Sequence, residues 1–155
     1  MPICPLLPLA LVALCLAGVA SNIQADPLPL RSIAKGAVSG ITEPRKDVIR
    51  DAESWEKFWG KHRAQAKDGA ALPAVNFTNE LVIAVTLGRK HTGGYTVEIV
   101  RAEPDDQHLL VTVRRTAPRP GALSLQVLTA PFHFVAVPRS ALPVQFTEAK
   151  PAATP

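Results

Sequence analysis

The chain has 155 residues, 47% hydrophobic and 19% charged, a balance that fits one globular domain with tails and excludes an intrinsically disordered protein. Its 17 Lys and Arg against 13 Asp and Glu leave a net charge of +4, too small a surplus for a nucleic-acid footprint. With 15 Pro and 9 Gly, the sequence is interrupted too often for a long helical bundle.

From the N-terminus, Leu6 to Ala20 is an uncharged and almost unbroken apolar run. As a helix it rises about 22 Å, short of the roughly 30 Å hydrocarbon core. It therefore reads as the apolar region of a secretory signal peptide over residues 1–25, with cleavage after Ala25 and no transmembrane span left behind. The protein is expected to be exported, either periplasmic or secreted. The two cysteines, Cys4 and Cys15, both fall in this leader, so the cleaved chain has neither disulfide nor thiol chemistry. Leu14 stands where a lipoprotein signal carries a small residue, which makes lipid anchoring at Cys15 the minor reading.

Residues 26–31 (DPLPLR) form an extended linker, because two prolines exclude helix. The domain itself is expected over 32–146, with a disordered tail at 147–155. Within it, Ile33 to Ile41 is a marginal or edge strand, and Thr42 to Lys46 is a turn. Asp51 then caps a helix predicted from Ala52 to about Lys67, ending near Gly69. Glu53 and Glu56 lie early in it and Lys57, Lys61 and Arg63 later, an order that suits the helix dipole. Trp55, Phe58, Trp59 and His62 share one face, and aromatics at this spacing are core anchors more often than ligand platforms.

Beyond residue 80 the period becomes two. Leu81 to Val85 is apolar on both faces and predicts a central strand. Gly88 to Gly94 is a loop, and Tyr95 to Ile99 alternates with Tyr95, Val97 and Ile99 inward. After turn residues at Pro104 to Gln107, Leu109 to Arg114 alternates again. Further strands are predicted at Leu123 to Thr129 and Phe132 to Val137, while Pro138 and Pro143 fragment the rest of the domain. The expected fold is α+β and mainly β: an antiparallel sheet, flat or curled, of five to six strands with one amphipathic helix packed on it.

Reactive chemistry finds little support. His62, His91, His108 and His133 have no metal-pair spacing and no cysteine beside them, so no metal or cofactor is implied. No serine sits in a nucleophile elbow, and Asp105 and Asp106 occupy turn chemistry. Gly88 to Gly94 resembles a phosphate loop but lacks the Gly-Lys-Ser/Thr ending and leads into a strand. Its composition admits two readings. Arg89, Lys90, His91, Thr92, Gly93, Gly94 and Tyr95 form either a tight strand connection with solvated cations or a recognition loop.

The order Trp55-Glu56-Lys57-Phe58-Trp59, Pro73-Ala74-Val75-Asn76-Phe77, Leu81 to Val85, then Thr92-Gly93-Gly94-Tyr95-Thr96-Val97-Glu98-Ile99 resembles the PrcB C-terminal domain family. The stretch from Gln126 through Val137-Pro138 fits it as well, so the resemblance covers about Arg50 to Pro138. It implies an exported or lipid-anchored bacterial protein without recognised catalytic residues, similar to the accessory subunit of a subtilisin-like protease complex. The residues that carry over are the Gly93-Gly94-Tyr95 turn and the Trp55/Trp59 stripe. The leading expectation is thus a non-catalytic module that binds or stabilises an exported protein, for example a protease. One alternative is an envelope hydrolase or metal enzyme built on His91, His108 and His133. Another is a binder of anionic envelope components through Arg89, Lys90, Arg114, Arg115 and Arg119.

Overall fold

The computed structural model describes residues 26–66 and 69–149. Residues 1–25, read as a leader with Cys4 and Cys15, and residues 150–155 of the expected tail lie outside the described residues. Thr147 and Glu148, also expected in that tail, instead belong to the last strand. Seven strands and one helix follow in the order β1 (Arg31–Gly36), β2 (Pro44–Ile49), α1 (Ala52–Arg63), β3 (Glu80–Leu87), β4 (Thr96–Pro104), β5 (Leu109–Thr116), β6 (Phe132–Pro138) and β7 (Val144–Glu148). They make two sheets, β1-β6-β3-β2 and β4-β5-β7. Every pairing is antiparallel except β5 with β7, which is parallel. The mainly-β α+β architecture is as expected, with the strands divided between two sheets and numbering seven.

The two-faced hydrophobicity of β3 explains the layering. Leu81, Ile83 and Val85 point toward the second sheet, where they meet Val97 and Ile99 of β4 and Val111 and Val113 of β5. Val82 and Ala84 point the other way, toward Trp55, Phe58 and Trp59 of α1. The four-stranded sheet is therefore a middle layer, with helix on one side and sheet on the other. β6 repeats the pattern: Val135 and Val137 join the inter-sheet core, and Phe132 and Phe134 join the helix side. A strand covered on both faces can be apolar at every position, as these two are.

The helix begins where Asp51, in extended conformation, accepts a hydrogen bond from the Ser54 amide at 2.8 Å. It ends at Arg63, and its cap residue Ala64 still has helical dihedrals, so the helix is shorter than the sequence pattern predicts. Trp55 packs at 6.3 Å on Phe134, edge to face, and Phe58 does so at 5.1 Å. The Trp55 indole N–H donates to the Pro73 carbonyl at 3.0 Å, tying down the loop after the helix.

Three departures from the sequence reading have physical causes. Residues 44–49, read in part as a turn, form β2, an edge strand whose Pro44 lies at its first position, where a missing N–H is tolerated. β7 follows Pro143 and was hidden by the two prolines; it lies at the edge of its sheet, paired with β5 on one side. Arg50 holds the connection into it by donating to the carbonyls of Ser140 and Leu142, the latter at 3.1 Å. The strand expected at Leu123 to Thr129 does not form. That segment lies outside both sheets and makes only a single bridge, Lys90 with Thr129.

Candidate functional site

The Arg89–Tyr95 turn is held by the connection that joins β5 to β6. The Lys90 amide donates to the Thr129 carbonyl at 2.7 Å, and the Thr129 amide returns a bond to Lys90 at 2.9 Å. The Gly93 amide donates to the Leu125 carbonyl at 2.9 Å, and the Thr129 hydroxyl donates to the Thr92 carbonyl at 3.1 Å. Gly94 has φ +87°, and a Cβ there would stand 3.2 Å from Pro118, so glycine serves both the backbone angle and the close approach. The turn and residues 117–130 therefore make one composite surface.

Its chemistry is basic and apolar together. Stretches 86–95 and 117–131 contain Arg89, Lys90 and Arg119 and no Asp or Glu. Arg89 and Arg119 form no ion pair among the described residues, and the Lys90 ammonium lies 5.4 Å from the centroid of the Tyr95 ring. Arg114 and Arg115, by contrast, pair with Glu98 at 3.6 Å and Glu148 at 3.1 Å. Each of those arginines shares its carboxylate with a lysine, Lys35 on Glu98 and Lys46 on Glu148, whereas Arg89, Lys90 and Arg119 pair with no carboxylate among the described residues. Beside these cations stand the exposed side chains of Leu123 at 105%, Leu125 at 79% and Leu128 at 60%. The sequence reading placed these leucines in a strand, and their alternation gave no sign that the sheet would leave them out.

Tyr95 is half-buried against the inter-sheet core, with Val97 and Ile99 buried beyond it. Trp55, Phe58 and Trp59 are core residues on the far side of the middle sheet. His91 is exposed in the turn, whereas His108 sits beside Leu109, at the opposite end of the β4–β5 ladder. His133 is buried on β6. The three do not converge, and among the described residues no group of three or more His, Cys, Asp or Glu could hold a metal ion.

Two Ser–His contacts do occur. In the first, the His133 Nδ1 accepts from the Ile99 amide at 2.8 Å, beside the β4 bulge, so the neutral ring carries its proton on Nε2. That Nε2 then donates to Ser32 at 3.0 Å and cannot serve as its base. Burial lowers the His133 pKa, as does Lys35, with Glu98 acting in opposition. In the second, Ser39 accepts from the Ile41 amide at 3.1 Å and lies 2.9 Å from the His62 Nδ1. Burial, with a smaller contribution from Arg63, pushes His62 down to about 4. A histidine that resists protonation so strongly is a weak general base at neutral pH. The pocket above Ser39, rimmed by Val38, Arg89 and Leu128, has a volume of about 80 Å³, well below the several hundred Å³ that small-molecule sites occupy.

The domain therefore combines two sheets, a helix on the outer face of the middle one, and a basic, apolar surface at one end of the middle sheet. Residues 81–138 match the family model described as PrcB C-terminal, so this part of the chain is similar to that family. The match runs from β3 through β6 and includes the whole composite surface. No curated protein and no solved structure matches the chain. No helix among the described residues is long and apolar enough to cross a membrane.

Proposed function

We propose that this chain is an exported, non-catalytic protein-binding module that associates with or stabilises another exported protein, a protease being the first candidate. The family supplies the protease association. The uncharged apolar run at Leu6 to Ala20 supports export. One observation carries the binding reading: the Arg89–Tyr95 turn is anchored against residues 117–130 so that unpaired cations and bare leucines share one surface. Apolar contact supplies affinity at such a surface, and charge supplies selection and encounter rate.

The test is co-purification from the native host, comparing wild type with the Arg89→Ala/Lys90→Ala double variant. Both side chains are at least partly exposed and form no ion pair, so the melting temperature is expected to stay within about 2 °C of wild type. Recovery of the principal partner is expected to fall about tenfold, in line with loss of one or two interface contacts. Equal recovery by the double variant removes the turn from the interface.

A further inference from the structure

Resting on the protein-binding reading, we propose that segment 122–128 is a template for an extended peptide of the partner, one that alternates apolar with acidic side chains and pairs by backbone hydrogen bonds. The segment has the substituents of a strand and lacks a neighbour. Among the described residues, the amides of Leu123, Ser124, Leu125, Gln126 and Leu128 have no protein acceptor. The carbonyls of Leu123, Ser124, Gln126 and Val127 likewise have no protein donor. The Leu125 carbonyl is the exception, engaged by Gly93 and by Val127 at 2.9 Å each. A segment fixed at Leu125 and Thr129, with free backbone groups between and before them, is ready for strand addition.

The side chains define the partner's chemistry. Apolar side chains recur at Leu123, Leu125 and Val127, all exposed, with Leu128 exposed beside them, so the apolar residues of an added strand meet this alternate set. Arg89 lines a small pocket with Leu128, Lys90 bridges Thr129, and the Arg119 carbonyl accepts from the Ala122 amide, so three cations adjoin the segment. The exposed Glu43 is the one acid next to Arg89 among the described residues, on the neighbouring 42–43 turn; carboxylates on the remaining sites complete the match. A second copy of this chain fits less well: its own segment 122–128 would supply apolar residues but no carboxylate, and its Arg89, Lys90 and Arg119 would add like charge to the contact. A membrane surface fits poorly too: the open amides and carbonyls would enter hydrocarbon without partners, at several kcal/mol each.

The experiment follows amide exchange in isotopically labelled protein by NMR. The probes are acetyl-Glu-Val-Glu-Val-Glu-Val-Glu-amide, its Lys-for-Glu counterpart, and the Glu peptide N-methylated at its valines. Phosphatidylglycerol vesicles form a fourth arm. The Glu peptide is expected to slow exchange about tenfold at the alternate amides of Ser124 and Gln126, on the edge facing away from the turn that holds Leu125 and Thr129, as new hydrogen bonds protect them. The Lys and N-methylated peptides are expected to bind about tenfold more weakly, the loss of one charge-assisted or backbone contact. Leu125→Ser/Val127→Ser, an exposed double substitution that leaves the melting temperature nearly unchanged, is expected to weaken the Glu peptide comparably.

Three results overturn the proposal: no protection at Ser124 and Gln126 at saturating Glu peptide, equal affinity for the Lys or N-methylated peptide, or the same protection produced by vesicles. The wider reading is tested separately. If the peptide fails while the Arg89→Ala/Lys90→Ala variant still loses its native partner, strand addition is wrong and protein docking stands.

Discussion

His62 shows how one buried side chain sets the response of the molecule to pH. It is 3% exposed, packed against Phe132 and Phe134 at 4.4 and 4.9 Å, and bonded to Ser39. In the unfolded chain it titrates near 6.5, in the folded chain near 4. Between those values the unfolded chain takes up a proton that the folded chain refuses, so stability rises with pH across that window. The contribution is complete above pH 6.5 and is lost as pH falls toward 4, a difference on the order of 3 kcal/mol. His62→Gln is expected to flatten the melting temperature between pH 7 and 4.5, leaving a smaller slope of the same sign from His133. An unchanged slope in that variant would show that His62 is not the titrating group. The two tryptophans offer a second contrast. Trp55 bonds Pro73, whereas among the described residues the Trp59 indole N–H is buried without an acceptor. Trp59→Phe removes an unpaired donor along with part of a ring, and is expected to change stability by less than about 1 kcal/mol. Trp55→Phe loses both packing and a bond, and is expected to cost about 2 kcal/mol by chemical denaturation. Equal costs would contradict the difference in hydrogen bonding.

At the level of elements, the arginines Arg50 and Arg139 tie the edge of one sheet to the other. Arg139 donates to the carbonyls of Arg50 and Phe77, at 3.1 and 2.6 Å, while Arg50 reaches the connection leading to β7. β7 is short and pairs on one side only, so it depends on this clamp. Arg50→Ala is expected to speed amide exchange over Val144–Glu148 at least tenfold, with little change in β3 or β6. A uniform rise in exchange through all strands would show instead that β7 opens only with the whole fold. The same element explains why sequence patterning stopped early. Val144 and Phe146 alternate as a strand should, but Pro138 and Pro143 conceal them, and parallel pairing with β5 is set by a chain that crosses between sheets. Pro44 similarly concealed β2, where Val48 and Ile49 supply the buried end.

For the molecule as a whole, stability and recognition are located in different places. The buried cores lie between the sheets and beneath α1. The composite surface lies outside both sheets: the Lys90–Thr129 bridge joins its two halves, and the Ala130 and Arg89 amides tie it to the carbonyls of Ala37 and Thr42 at 2.8 Å each. Changes at Arg89, Lys90, Leu125 or Val127 are therefore expected to alter partner binding without moving the melting temperature. Gly94→Ala is expected to do both: its left-handed backbone costs about 1–2 kcal/mol for a residue with a side chain, and the added Cβ presses on Pro118. A Gly94→Ala protein with wild-type melting would show that the turn is not strained by a side chain.

The elements legible in the chain are those whose signal is local. Period-two runs predicted β4 and β5, a continuous apolar run predicted β3, the segment after Pro131 predicted β6, and an Asp cap with aromatics at i, i+3 and i+4 predicted α1. The Gly93-Gly94 turn and its cations were legible in the same way. The destination of Leu123 to Thr129 was settled by the three-dimensional arrangement, because alternation records which residues suit a strand, while pairing requires a neighbouring edge within reach. The four-stranded sheet was complete without that segment, and its leucines were left facing water beside Arg89 and Lys90.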